Sequence, residues 1–192
     1  MPGRVTSTVR CRPTSVSLLG QPAPDFSDPL GMLAACHGRM LGFCDLLDRL
    51  PAWIGEHGID EEVHTGCQRV IRYFSTAARL HHQDEEDDLF PLLVGNADMV
   101  ELITRLRAEH QTLESAWQAL ERQLDGVLEA RHDPQALATT IGQFCTAYRA
   151  HIDIENRHLL PKARTLLGTD RLTRLGESMA ARRRTDGDPG HR

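Results

Sequence analysis

The chain has 192 residues, 40% of them hydrophobic and 26% charged, which suits one soluble globular domain and excludes wholesale disorder. Twenty-two Lys and Arg against 27 Asp and Glu leave a net charge of −5, the wrong balance for a nucleic-acid-binding face. No apolar run is expected to reach the roughly 18 residues of a membrane span, and the first 20 residues lack the apolar core of a secretory signal.

The five cysteines, Cys11, Cys36, Cys44, Cys67 and Cys145, are scattered and form no CxxC pair. That argues against a disulfide framework or a thiolate metal site and for a cytoplasmic chain. Histidine is the unusual count: at 10 residues it outnumbers Phe, Tyr and Trp together.

Residues 1–27 carry Pro, Gly and Ser without periodicity and read as a flexible N-terminal tail. A helical domain is expected over 28–182. Asp28-Pro29 supplies a helix start, and Leu30, Leu33, His37, Met40, Cys44 and Leu47 follow at helical spacing up to an expected break at Pro51. A second helix is predicted over about 59–92, with Val63, Cys67, Val70, Phe74, His81, Glu85 and Leu89 on one stripe. A third is predicted over about 97–130, carrying Met99, Ile103, Leu106, His110, Leu113, Trp117 and Leu120.

Asp133-Pro134 starts the fourth, with Ile141, Phe144, Tyr148, His151, Glu155 and Leu159. A shorter helix over about 170–182 follows, and 183–192 reads as a disordered C-terminal tail. Nothing alternates with the period of a strand. The fold class is therefore all-α: an up-down-up-down four-helix bundle with a short additional C-terminal helix.

The chain also repeats itself. HHQDEEDDLFP (residues 81–91) and HIDIENRHLLP (residues 151–161) share His, Glu, Leu and Pro at matching positions, and each is preceded by one more stripe histidine, His37 or His110. Hairpins that repeat for structural reasons would repeat leucines. At about 100° per residue, His81 and Glu85 each lie roughly 20° from the stripe centre at Phe74, whereas His82 lies about 80° off, on the flank. Glu155 is roughly 20° and His151 roughly 60° from Tyr148, and His110 is roughly 40° from Leu106.

Four imidazoles and two carboxylates buried without partners would cost several kcal/mol each, a cost that metal coordination removes. Imidazole with carboxylate and no thiolate suits iron or manganese, with zinc possible, and is too nitrogen-rich for Mg²⁺ or Ca²⁺. The run DEEDD (residues 84–88) opposes the dipole at its helix end, and four of its five acids are expected on a solvated face. Tyr148 is expected to fill the core, as are Trp53 and Trp117. His57, His64, His132, His158 and His191 are expected in loops or on flanks.

The ordered set His37, His81-x-x-x-Glu85 followed by LFP, His110, and His151-x-x-x-Glu155 followed by LLP resembles the hemerythrin-like (HHE cation-binding) domain, in particular its bacterial and actinobacterial members. The resemblance covers about residues 28–167. It implies two irons per chain in an oxo- or hydroxo-bridged centre, with Glu85 and Glu155 bridging and the histidines terminal.

Oxygen-carrying hemerythrins place a second histidine four residues after the one corresponding to His110, where this chain has Glu114. Four histidines leave about two of roughly twelve iron positions open; Glu114, His82 or a tyrosine would be the additional ligand. The resemblance thus implies binding and reduction of small diatomic or peroxide ligands (O₂, peroxide or nitric oxide) with an unspecified electron donor, and no nucleic-acid or membrane partner. An enzyme of this kind would be a di-iron peroxidase or a nitric-oxide- or peroxide-reducing oxidoreductase. The alternatives are O₂ or iron sensing or storage without turnover, and a partner-binding helical module with a vestigial site.

Overall fold

Helix α1 (Pro29–His57) begins where the Asp28 carboxylate accepts from the Gly31 amide, and Pro29 occupies a position whose missing N–H costs nothing. The computed structural model describes residues 25–186, with side chains through residue 184. The expected break at Pro51 does not occur, because the turns beyond it are held by other contacts. The Trp53 ring stacks on His57 at 4.3 Å, and Trp53 Nε1 donates to Asp60 Oδ2 at 3.2 Å. The helix ends at Gly58, whose φ of +76° is the left-handed conformation glycine adopts without strain.

By length and composition α1 is apolar enough to cross a membrane, contrary to the sequence expectation. Ala34, Ala35, Gly38 and Gly42 separate its larger apolar side chains, and between Pro29 and Leu46 only Arg39 and Asp45 carry charge. In the bundle its buried face, including Leu33, His37, Met40, Cys44 and Leu47, packs into the core.

Helix α2 is assembled from Glu61–Ser75, Ala77–Gln83, a π-helical turn Asp84–Leu89 and Phe90–Leu93. The helix is interrupted at Thr76 (φ −127°, ψ −80°), whose hydroxyl bonds back to the Arg72 carbonyl at 2.6 Å. Helix α3 is Ala97–Leu128, capped by Asn96. Helix α4 comprises Pro134–Ile154, a second π-helical turn Glu155–Leu159 and Leu160–Leu166, starting from an Asp133 side chain that accepts two amides. In both π turns the amide five residues on, Phe90 or Leu160, reaches back to the carbonyl of Glu85 or Glu155. No strand occurs among the described residues.

The long helices form an all-α bundle in which α1 packs on α2 and α4, and α3 packs on α2 and α4. Helix α5 (Thr169–Asp186) lies against α1 and the π turn of α2. It corrects the expected tail boundary, because the helix runs on through residues assigned to the tail. Arg182 and Arg183 both pair with the buried carboxylate of Asp84, which fixes that end of the helix. Gly176 sits so close to the Phe26 carbonyl oxygen that a Cβ would collide with it. The remaining residues of both expected tails, 1–24 and 187–192, lie outside the described residues.

Among the described residues, two hydrophobic clusters make up the interior. One contains Met40, Leu47, Val70, Phe74, Trp117, Leu120, Phe144 and Tyr148. The other contains Leu30, Leu33, Leu89, Phe90, Ile103, Leu106, Leu159 and Met179. Along each of the four long helices, the stripe histidine falls at the changeover between them: His37 between Leu33 and Met40, His81 between Ala78 and Leu89, His110 between Leu106 and Leu113, His151 between Tyr148 and Leu159.

Candidate metal centre

Each helix therefore delivers its polar stripe residues to one layer between two apolar clusters. His37, His81, Glu85, His110, His151 and Glu155 are all at most 4% exposed. Glu155 Oε2 lies 3.1 Å from His37 Nε2, while its Oε1 lies 3.2 Å from His151 Nε2 and 3.7 Å from His110 Nε2. Glu85 Oε2 lies 3.4 Å from His81 Nε2 and 3.5 Å from His110 Nε2, and Oε1 lies 4.0 Å from His37 Nε2. Both carboxylates thus stand between two groups of imidazoles. One group has His37 and His81 with Glu85 and Glu155; the other is His82, His110 and His151.

The far sides of the rings decide where the protons are. His110 Nδ1 donates to Glu86 Oε1 at 2.7 Å, and His151 Nδ1 donates to Glu109 Oε2 at 2.9 Å. Ionised carboxylates only accept, so each ring keeps a proton on its outward Nδ1 and directs its Nε2 inward. Those two inward nitrogens are 3.1 Å apart. His37 Nδ1 donates to Asn156 Oδ1 at 2.8 Å, and its Nε2 lies 3.1 Å from His81 Nε2.

The oxygens of Glu85 and Glu155, His81 Nδ1 and His82 Nε2 are buried and make no hydrogen bond of acceptable direction among the described residues. Converging lone pairs and anionic oxygens with so few protons between them repel one another, and a bound cation relieves that repulsion. The donor set is nitrogen and oxygen without thiolate, which fits iron.

Without a cation the same crowding displaces pKa values. Burial, then the Glu155 charge, pushes the Glu85 carboxyl well up. Burial works to raise Glu155 as well, but His110, His151 and His37 outweigh it and hold it well down. Burial lowers His81 and His82, helped by His37 and His110 respectively. Burial also opposes charge on His151, yet Glu155 and Glu109 outweigh it and raise its pKa.

His82 departs from its expected flank position. Its ring stacks on His110 with centroids 4.1 Å apart, and its Nε2 is buried. The count from Phe74 puts His81 and Glu85 inward, as the structure has them, and His82 reaches the layer from the flank by turning its ring onto His110. Glu114 joins neither group of ligands; its Oε1 accepts from Gln118 Nε2 at 3.2 Å. Tyr148 packs against Phe144 and Phe74 as a core aromatic. Trp117 is buried against Phe74, whereas Trp53 is partly exposed at the end of α1.

The acidic run differs from the solvated face that was expected. Asp84 is fully buried against Arg182 and Arg183. Glu86 holds His110, and Asp88 pairs with Arg182 at 2.7 Å and accepts from Ser178. Only Asp87 has a mostly exposed side chain. Sequence reasoning missed Glu86, Glu109 and Asn156 as partners of the histidines. The signal was present for two of them, since Glu86 and Asn156 follow Glu85 and Glu155 at the same place in the repeat.

Residues 28–163 match the hemerythrin HHE cation binding domain, and the chain belongs to that family. It is also similar to an uncharacterized protein of Haemophilus influenzae, at 37% identity over 160 residues that cover 82% of this chain and 91% of the relative. Family membership together with the His/Glu clusters describes a metal-binding helical protein, with iron as the metal the family suggests.

Proposed function

We propose that the polar layer holds two irons and that the protein binds and reduces small oxidants of the O₂, peroxide or nitric oxide class. The observation that supports this best is the pair of inward Nε2 atoms of His110 and His151, 3.1 Å apart, with each ring's Nδ1 held by a carboxylate behind it. His37 and His81 would hold one iron and His82, His110 and His151 the other, with Glu85 and Glu155 spanning the two.

When bound, such irons supply a coordination position for a small ligand and electrons for its reduction. The chain's own residues fix the imidazoles, supply the negative charge and exclude water. Glu86 and Glu109 hold the ring tautomers, and the apolar clusters on either side close the layer. With His82 in reach, five histidines rather than four are available, which leaves fewer open positions than the sequence count implied.

Metal analysis of purified protein tests the reading. About two irons per chain, with near-ultraviolet charge-transfer absorption, are expected. Protein that folds fully and takes up no iron would show a partner-binding module with a vestigial site. Steady consumption of peroxide or nitric oxide with an electron donor separates reduction from sensing or storage, which would bind the ligand without turnover.

A further inference from the structure

The two imidazole groups differ in what stands behind them. On the His82–His110–His151 side, His110 is backed by Glu86 at 2.7 Å and His151 by Glu109 at 2.9 Å. Glu109 is itself fixed by Arg105 Nε at 2.7 Å. On the other side, His37 is backed by the neutral amide of Asn156 at 2.8 Å, and His81 Nδ1 is buried with no hydrogen-bond partner among the described residues. The inward carboxylates do not offset this difference, because Glu155 divides its two oxygens between the groups and Glu85 Oε2 lies almost equally far from His81 and His110. The asymmetry comes down in part to one place in the repeat, where the residue after the inward glutamate is Glu86 in one copy and Asn156 in the other.

A carboxylate behind an imidazole pulls on its N–H proton, makes the opposite nitrogen a stronger donor and locks the ring; a neutral amide does so less. We propose that Glu86 and Glu109 make the His82–His110–His151 position the tighter of two metal positions and the first to fill, leaving the His37–His81 position exchangeable. This rests on the two-metal reading above. Glu86 and Glu109 act as positioning residues, since they touch the rings and not the metal.

The test is a titration of metal-free full-length protein with Co²⁺, followed by visible absorption and calorimetry. Two sequential events are expected in the natural sequence, the first at least about tenfold tighter. Glu86→Gln and, independently, Glu109→Gln should weaken the first event by about 10–100-fold and leave the second nearly unchanged. Asn156→Asp should tighten only the second and narrow the gap. His37→Ala should delete the second event and keep the spectrum of the first.

Circular dichroism checks that each variant is folded, and either glutamine variant alone suffices if the other is not. If the glutamine substitutions weaken the second event, or weaken both equally, the assignment of the tight position is overturned while two-metal binding stands. Natural-sequence protein that binds no Co²⁺ and no iron overturns the two-metal reading, and this inference with it.

Discussion

The two hydrophobic clusters are built on different principles. The cluster around Phe74, Trp117, Phe144 and Tyr148 is the more regular: no π turn falls within it, the interruption at Thr76 is at its edge, and its aromatic rings lie 4.7–5.9 Å apart. The cluster around Leu89, Phe90 and Leu159 lies where both π turns occur, and it draws on Leu175 and Met179 of α5, a helix beyond the family match. The first cluster holds the bundle together by burial alone. The second has to accommodate a polar layer, and it does so with widened helices and ion pairs from a fifth helix. Stability is thus expected to reside mainly in the regular cluster, and site geometry to depend on the irregular one.

Phe74→Ala strikes the regular cluster at a fully buried ring that touches Trp117, Phe144 and Tyr148. It should cost about 3–5 kcal/mol in urea unfolding, and protein that remains folded should still take up metal. Loss of metal from folded Phe74→Ala protein would dissolve the proposed division between the clusters.

Asp84→Asn removes the carboxylate that anchors Arg182 and Arg183. The arginine side chains are 18% and 25% exposed and regain water, so a cost of about 2 kcal/mol is expected rather than the 3–5 of a wholly buried pair. Trypsin should then cut within α5 faster, while the near-ultraviolet circular dichroism of the aromatic cluster stays unchanged.

In the metal-free protein, His82→Gln should flatten the acid limb of the stability profile. Burial holds the folded His82 pKa below its ordinary 6.5, so the stability from keeping that ring neutral is present above about pH 6.5 and is lost as pH falls below it. The natural sequence should lose up to about 1.4 kcal/mol per pH unit more than the variant over that range, measured by urea unfolding at pH 7 and pH 5. An unchanged slope would mean that the ring is solvated. Trp53→Ala, at the exposed end of α1, should cost only about 0.5 kcal/mol by the same measurement and leave metal uptake unaltered.

The regular cluster and the ring of inward residues were legible in the sequence because a helical stripe keeps a nearly constant angle per residue, even past the interruption at Thr76. His110 and His151 follow their stripe residues without interruption, and the 100° rule puts them inside, where the structure has them. His82 was not legible, because the count that puts His81 and Glu85 inward leaves it about 80° off the stripe, and the turn of its ring onto His110 is not written in the spacing. The docking of Arg182 and Arg183 was hidden for a different reason. A run of arginines next to a polar end looks solvated until the acid it meets, Asp84, is seen to be buried. Pro51 misled because its missing N–H was weighed without the Trp53, His57 and Gly58 contacts beyond it.

The π turns of α2 and α4 resemble matched dislocations in a lattice. Each adds about one residue to a turn, which rotates everything downstream by roughly 100° relative to an unbroken helix. A single such fault would leave one helix presenting the wrong face to the cluster below it. Because both helices carry the fault at matching places, Asp84–Leu89 and Glu155–Leu159, their downstream faces shift together and Leu89, Phe90, Leu159 and Leu160 all remain buried. The faults stand or fall as a pair: excising one residue from a single π turn should harm packing more than excising one from each.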